Sequence, residues 1–450
     1  MTDAKQADHS TFLKTFLVLS APAICCEFVI LLTNNINTAI LGTLNDKAIT
    51  ASGIANQAFD LYSVFILGLT SAFHIYIAQY YGSRNKEKYN IVFQTGFIFA
   101  GTIALLCTAL FLFFSKKFCS LFLTETETLS YAVPYLRIYS LSFIPFAINY
   151  YIQGILAMSG KAKITMYSSI ADSAINLFLC YFLVNGTSFF PPLYANGAAV
   201  SLLIGRIIES IFLIHYLLKN GSEFSFSFPC FSSSRGEIRK VMHTAAPLIA
   251  NECVYSFAVT MIFRNYSYAN EKYLPCIPVV NLLANLLYCP AKGSRAALGV
   301  LVGGELGKGN TDTARKNQKR IERICYSIGL TGFIIVALLS DWIPLFFSLH
   351  GDLYLMARKM LLAKAAINLF DSGKQIIYIS TLRIGGDSRS VFLYDAAFVF
   401  LIIMSASLIA SRFFHVSFFV MYLVVESCTI LKIFWGRYLL GKGNWLKQLS

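Results

Sequence analysis

The segment VLSAPAICCE at residues 18–27 returns as HTAAPLIANE at residues 243–252. In both copies an Ala-Pro pair precedes a glutamate at the same spacing, so Pro22 matches Pro247 at an offset of 225 residues. Several matches at one offset indicate an internal duplication of the chain. Further matched positions are Asp46-Lys47 with Glu271-Lys272, Asn56 with Asn281, Gly82-x2-Asn85 with Gly307-x2-Asn310 and, at an offset of 226, Leu156 with Leu382 and Lys163 with Arg389.

The composition predicts that each copy lies in a membrane. Of the 450 residues, 56% are hydrophobic and only 13% are charged, whereas soluble domains carry about 25% charged residues. A helix needs roughly 20 mostly apolar residues to span a bilayer. The apolar runs are long and lack a two-residue alternation, which favours helices over strands. Twelve runs qualify, near residues 12–34, 51–78, 90–114, 130–157, 164–185, 195–218, 241–263, 275–302, 321–344, 353–382, 390–411 and 414–438.

The duplication and the spans together predict an all-α polytopic membrane protein with twelve transmembrane helices. We expect two six-helix lobes, residues 1–218 and 241–450, joined by a cytoplasmic linker at 219–240. Six is an even number, so the second copy starts on the same side of the membrane as the first and the repeats are parallel. This arrangement favours a cavity between the lobes and alternating access over a simple channel.

The net charge of +14 is distributed as the positive-inside rule requires. Basic residues concentrate in alternate loops, so we expect both termini in the cytoplasm and no nucleic-acid partner. The basic loops contain Arg84, Lys86 and Lys88; Lys161 and Lys163; Arg235, Arg239 and Lys240; Lys308, Arg315, Lys316, Lys319 and Arg320; Arg383 and Arg389; Lys442 and Lys447.

No enzyme motif stands out. The sequence has no P-loop of the form G-x4-G-K-[ST] and no HExxH, so we expect neither ATP hydrolysis nor a catalytic zinc site. The eleven cysteines are scattered and show no metal-ligand spacing. We therefore expect no enzyme activity, no cofactor and no resident metal, and any uphill transport would draw on an ion gradient.

Five further segments resemble the multidrug and toxic compound extrusion (MATE) family of exporters, and the resemblance covers nearly the whole chain. It implies a secondary active exporter that antiports a small amphipathic compound against Na⁺ or H⁺. It also implies a monomer in the inner (plasma) membrane, in contact with lipid. A lipid-linked oligosaccharide flippase of the same superfamily is the alternative. The segments are IAQYYGSRN (77–85), SLSFIPFAINYYIQGILAMSGKAK (140–163), LYANGAAVSLLIG (193–205), VGGELGKGN (302–310) and LRIGGDSR (382–389).

The segment INLFDSGKQ (367–375) is similar to the cation-site element of the NorM-type branch. By this resemblance Asp371 belongs to a cation-coupling site in the C-terminal lobe, with Glu252 as its partner carboxylate. Two departures matter. Asn37 stands where many relatives have an aspartate in the first helix, and Tyr255 lies closer than Glu252 to the usual place of the helix 7 glutamate.

Ionisable side chains are costly in a bilayer and normally face a cavity or a partner. For Asp371 the alternative is an ion pair with Lys364 or Lys374. Arg206 and Glu209, three residues apart on one helix, are expected to form a structural pair. Bases in helix 8 would favour anionic or zwitterionic substrates if they face the cavity, or they neutralise acidic residues. The candidates for the substrate cavity are Glu27, Asn37, Asn149, Gln153, Asp172, Asn176, Lys292 and Arg295.

Overall fold

The computed structural model describes residues 2–44, 46–121, 126–186, 191–220, 231–274, 276–346 and 351–448. Every regular element in these ranges is helical. Of the predicted linker 219–240, residues 221–230 lie outside the described residues. The chain divides into two compact units: the N unit, Cys25–His243, and the C unit, Met1–Ile24 with Thr244–Ser450. The first 24 residues, which the sequence analysis placed in the lobe 1–218, group with the C unit.

Six helices precede the middle of the chain. The break in α4 falls at Ser142, whose hydroxyl donates to Tyr139 O at 2.7 Å. Pro22 interrupts the hydrogen-bond ladder of α1, because proline has no backbone N–H. The helices are α1 Thr2–Gly42, α2 Asp46–Gly82, α3 Lys86–Ser120, α4 Thr126–Leu141 with Phe143–Met158, α5 Ala162–Asn185 and α6 Ala195–Lys219.

Six more helices follow. The extension of α8 begins with a π-helical turn at Gly299–Gly303, and α10 is broken after Asp371. One-turn helices at Glu271–Tyr273 and Ile343–Phe346 lie in the connections. The helices are α7 Phe231–Ala269, α8 Cys276–Leu298 with its extension to Gly307, α9 Thr311–Leu338, α10 Asp352–Asp371 with Lys374–Ile384, α11 Ser388–Arg412 and α12 Phe418–Gly441.

Ten of these twelve helices are long and apolar enough to cross a membrane, within the described part of the chain. The other two are α8 and α10, which correspond to the polar stretches 275–302 and 353–382. Polar side chains inside a membrane helix are expensive and are commonly functional. The predicted all-α, twelve-helix layout is confirmed, and the polar residues inside α8 and α10 are the first place to look for a functional site.

Large apolar side chains cover much of the outside of the protein. Phe113 is 81% exposed and Leu338 75% exposed, which water would penalise but lipid favours. Inside the N unit, Tyr62 stacks on Phe143 with ring centroids 4.4 Å apart, and its hydroxyl donates to Phe143 O at 2.7 Å. Inside the C unit, Met360 and Met421 are fully buried.

Some residues of the matched segments prove to be helix caps. Asn85 Oδ1 accepts the N–H of Lys88 at the start of α3, at 3.2 Å. Asp387 Oδ1 accepts the N–H of Ser390 at the start of α11, at 3.3 Å. A side-chain oxygen at this position satisfies one of the free N–H groups of the first helical turn. These positions therefore define the short turns between helices and lie outside the candidate site.

Candidate cation and substrate sites

The candidate cation site lies where α10 breaks. Asp371 ends the first segment, and the next two residues adopt left-handed backbone conformations, with φ of +41° at Ser372 and +89° at Gly373. Ser372 N and Oγ both donate to Asn368 O, at 3.0 and 2.6 Å. An interrupted helix of this kind places backbone groups and a carboxylate together within a membrane protein.

Neutral groups surround the Asp371 carboxylate, which is only 1% exposed. Gln375 donates its backbone N–H to Oδ1 and its side-chain amide to Oδ2, both at 3.1 Å. Tyr288 of α8 lies with its hydroxyl 2.8 Å from Oδ2 and 2.5 Å from Asn368 Oδ1. Asp371 thus caps the second segment of α10, and none of the basic side chains that the structure describes lies within hydrogen-bond distance of its carboxyl group.

Three further carboxylates of the C-unit membrane helices have basic partners. Glu252 of α7 binds Arg383 of α10. Asp395 of α11 is 2.8 Å from Lys432 of α12 and also accepts from Asn251 at 3.3 Å. Glu426 of α12 is 2.6 Å from Lys364 of α10. Asp371 makes no ion pair among the described residues. Glu322 of α9 makes none there either, but it is only half-buried and accepts from Gln318 and Tyr378.

The alternative partners of Asp371 are engaged elsewhere. Lys364 binds Glu426, as above. Lys374 donates to Phe370 O at 2.8 Å, and its ammonium lies 3.9 Å from the centre of the Tyr326 ring. The ion pairs considered from sequence for Asp371 are therefore not formed. Glu252, predicted to share the site, has Arg383 as its partner and contributes no hydrogen bond to the Asp371 group.

The two bases predicted for the cavity on α8 bind within their own helix. Lys292 donates to Asn285 Oδ1 at 3.1 Å, and Arg295 donates through Nε to Lys292 O at 2.9 Å. Lys292 is half-buried and Arg295 is exposed. Both stay predicted candidates for substrate contact.

The N unit brings together most of the polar residues predicted for its cavity. Asn37 of α1 donates to Asn176 Oδ1 of α5 at 2.7 Å. Asn37 Oδ1, Asn176 Nδ2 and Asp172 Oδ1 are buried without a hydrogen-bond partner in the described structure. Gly205 of α6 lies against Asp172, since a Cβ there would come within 2.6 Å of Oδ1. Glu27 is half-buried on α1.

A second cluster in the N unit is built around Glu209 of α6. Asn149 donates to Oε2 at 2.8 Å and Gln153 to Oε1 at 2.7 Å, both from α4. Ser210 donates to Asn149 Oδ1 at 2.6 Å. The expected ion pair of Arg206 with Glu209 is absent from the described contacts, because amides from another helix take both carboxylate oxygens. The three-residue spacing along α6 predicted Arg206 as the partner of Glu209. The competing amides of α4 reach Glu209 only in the folded structure.

The sequence analysis missed the role of Tyr288 and Asn368 beside Asp371. Both lie in polar membrane helices, and a tyrosine or asparagine there is a usable signal, since buried hydroxyls and amides need hydrogen-bond partners. Nothing in the sequence alone indicated that α8 would bring Tyr288 to the break in α10.

Comparison with known proteins identifies the family. The family model for MatE matches the chain twice, at residues 22–182 and 247–406, once in each half. The chain belongs to the MATE family of transporters. Its helices and its family make it a multi-pass membrane protein, and the family consists of transporters rather than enzymes.

Named relatives are distant. The chain is 25% identical over 304 residues to "Probable multidrug resistance protein NorM" of Thermotoga maritima, covering 66% of this chain and 64% of the relative. It is 23% identical over 351 residues to "Probable multidrug resistance protein YoeA" of Bacillus subtilis, covering 76% and 74%. The matched region thus spans just under two thirds of the Thermotoga relative.

Solved structures confirm the MATE-like fold at low identity. A mutant of a Vibrio cholerae MATE transporter superposes with a TM-score of 0.88 at 12% identity, covering 98% of this chain and 99% of that one. A superfamily transporter from Pyrococcus furiosus, described as having a binding pocket of reversed polarity, gives 0.87 at 17% identity, covering 96% and 95%. At such identities the likeness concerns the fold alone.

Proposed function

We propose that this MATE-family member is a secondary active exporter, in which inward movement of H⁺ or Na⁺ drives outward movement of small amphipathic compounds. The names of the relatives, which refer to multidrug resistance, support the substrate class. Asp371 is the residue that holds the coupling cation. The single observation that carries this assignment is the unpaired carboxylate at the break in α10, since an ionisable group is retained in a membrane helix only at a cost.

The contacts of Tyr288 favour a proton over Na⁺. A phenol has one O–H to donate, yet two oxygens, Asn368 Oδ1 and Asp371 Oδ2, lie within 2.5 and 2.8 Å of it. If the Tyr288 hydroxyl donates to Asn368, a proton on Asp371 Oδ2 can donate to the Tyr288 oxygen. This arrangement satisfies all three oxygens. A Na⁺ ion would instead share the carboxylate with two N–H groups of Gln375, whose partial positive charges oppose a cation.

Cation binding at Asp371 is expected to act on the second segment of α10. Gln375 N–H caps onto Asp371, so neutralising the carboxylate weakens the hydrogen bond that holds the start of Lys374–Ile384. The far end of that segment carries Arg383, the partner of Glu252. We propose that Glu252 contributes to coupling through this contact. A cation shifts the transport equilibrium only by its differential affinity for the two states.

The remaining sequence predictions complete the proposal. We propose lobes at residues 1–218 and 241–450, a monomer, and both termini on the cytoplasmic side of the plasma membrane. The polar residues Glu27, Asn37, Asn149, Gln153, Asp172 and Asn176, with Lys292 and Arg295, are proposed to contact the substrate.

The test is efflux from proteoliposomes under separately imposed proton and Na⁺ gradients, with wild type and Asp371→Asn. We expect proton-driven efflux of a fluorescent amphipathic dye, and a loss of at least tenfold in the mutant. Asp341→Asn is the matched control, because Asp341 is exposed and pairs with Arg358. Unchanged efflux in Asp371→Asn would refute the assignment. Movement of a labelled lipid-linked oligosaccharide without dye efflux would instead indicate a flippase.

A further inference from the structure

Arg206 of α6 occupies a box of aromatic rings in the N unit. Its guanidinium carbon lies 4.9 Å from the ring centre of Phe146, 5.1 Å from that of Phe59 and 5.9 Å from that of Tyr139. Ring faces at such distances attract a cation. Arg206, Phe59 and Phe146 are each partly exposed, so the box is open on one side.

Arg206 forms no ion pair among the described residues. Nη1 donates to Ser142 Oγ at 2.7 Å and lies 3.4 Å from Ser142 O. Glu209 is one turn away on the same helix, but its two oxygens accept from Asn149 and Gln153. The amides of α4 therefore occupy the Glu209 carboxylate, the closest one to Arg206 along α6.

A guanidinium in this state is suited to binding a planar anion. It presents N–H donors in one plane, in a fork that matches the two oxygens of a carboxylate. Ser142 accepts from one corner of the guanidinium and Tyr139 lies within hydrogen-bond reach of it, which leaves the remaining N–H donors for a ligand. Asp172 and Glu209 lie near enough to interact with Arg206 electrostatically, so the attraction for an anion is reduced and a moderate preference is expected.

We propose that Arg206 determines substrate specificity by binding the carboxylate of an amphipathic aromatic substrate, while Phe59 and Phe146 hold the guanidinium and contact the substrate's ring system with their exposed edges. The proposal rests on the exporter function above and names the substrate class of its N unit. Arg206 also fills the aromatic box, where an organic cation without an anionic group would otherwise bind the rings. The chain therefore selects against simple organic cations at this position.

The experiment measures equilibrium binding to the protein in nanodiscs, with a coumarin carboxylate and its primary amide as fluorescent probes. The two probes share a ring system and differ by one charge, and empty nanodiscs correct for partition into lipid. We expect wild type to bind the carboxylate about tenfold more tightly than the amide. Arg206→Gln should abolish that preference, and Phe146→Leu should weaken both probes by a similar factor.

Two further variants keep the result interpretable. Arg137→Gln is the matched control, since Arg137 also donates to a serine of the N unit, Ser115, at 3.0 Å, and it should leave both dissociation constants unchanged. Arg206→Lys keeps the charge but loses the planar fork, so the preference should fall at least threefold even if Arg206→Gln does not fold. A preference that survives in both Arg206 variants, or that is absent in wild type, overturns the proposal.

Binding also separates this proposal from the coupling site. Asp371→Asn should leave the carboxylate preference intact, because Asp371 belongs to the C unit and Arg206 to the N unit. If Asp371→Asn transports normally while the preference disappears in Arg206→Gln, coupling is misassigned and the specificity residue stands. If Asp371→Asn loses transport but wild type binds the carboxylate no more tightly than the amide, the coupling assignment stands and the specificity proposal is wrong.

Discussion

Charge pairing at single residues distinguishes structural from functional ionisable groups in this protein. The pair of Asp395 and Lys432 is buried, joins α11 to α12, and is supported by Asn251. The Lys432 ammonium also lies 5.1 Å from the centre of the Tyr394 ring. The charged groups of this pair are satisfied by each other and by their neighbours, so we assign the pair a structural role. Asp371 has hydrogen-bond donors but no ion-pair partner in the part of the chain that the structure describes, which is the residue-level reason for proposing it as the coupling residue.

The Asp395–Lys432 pair provides a stability prediction. Asp395→Asn leaves the Lys432 charge buried and uncompensated, which should cost about 3–5 kcal/mol of unfolding free energy. Asp395→Asn combined with Lys432→Met should recover most of that loss, because replacing both charges removes the unpaired group. Unfolding of the purified protein in detergent, followed by intrinsic fluorescence against denaturant, measures both variants.

An exposed ion pair is the control for that prediction. Lys272 hydrogen-bonds Asp352, and this bond raises the pKa of Lys272. Both side chains are exposed to solvent, which screens their attraction. Lys272→Met should therefore leave the unfolding midpoint unchanged. A double variant at Asp395 and Lys432 as unstable as Asp395→Asn alone would show that the pair is not the origin of the effect.

At the scale of helices, the break in α10 depends on close packing against α9. Gly329 of α9 lies against Ser372, and a Cβ at this position would come within 2.6 Å of the Ser372 carbonyl oxygen. Atoms of the backbone at a strained turn have little room to move. The absence of a side chain at residue 329 therefore positions the carboxylate of Asp371 relative to Tyr288.

Gly329→Ala should displace the break and disturb the coupling site. We expect a loss of about 1–3 kcal/mol in unfolding free energy from overpacking and a loss of proton-driven efflux. Gly332→Ala on the same helix is the matched control, because its Cβ would meet the Leu287 side chain at 2.7 Å, and a side-chain end can rotate away. Thermal melting and efflux measured on both variants test this. Equal effects of the two substitutions would argue against a special role for Gly329.

The helices were easier to predict than the contacts between them. The duplication of Pro22 as Pro247 and the long apolar runs gave twelve helices, because both signals are local in the sequence. The break after Asp371 had a local signal as well, the Asp-Ser-Gly sequence typical of turns, but it lay inside an otherwise helical segment. The hydrogen-bond partners of Glu209 had no local signal in the sequence, because α4 competes with Arg206 for the Glu209 carboxylate only after folding.

At the scale of the whole molecule, the course of the chain through the membrane depends on helices α8 and α10. Neither α8 nor α10 is apolar enough to be recognised as a span by composition. Their polar groups are satisfied inside the protein, as Tyr288 and Asn368 are beside Asp371. Neighbouring helices therefore take the place of hydrocarbon around them, which is how polar segments are accommodated in membrane proteins.

If α8 crosses the membrane, the residues before and after it face opposite sides. Lys272 precedes α8 and Lys308 follows it, and the positive-inside rule assigns the basic loop of Lys308 to the cytoplasm. In a chain with its native cysteines replaced by serine, Lys308→Cys should react with a membrane-impermeant maleimide only in inside-out vesicles. Lys272→Cys should react only in intact cells. Labelling of both positions from one side would mean that α8 does not span, and the parallel two-lobe arrangement would then have to be abandoned.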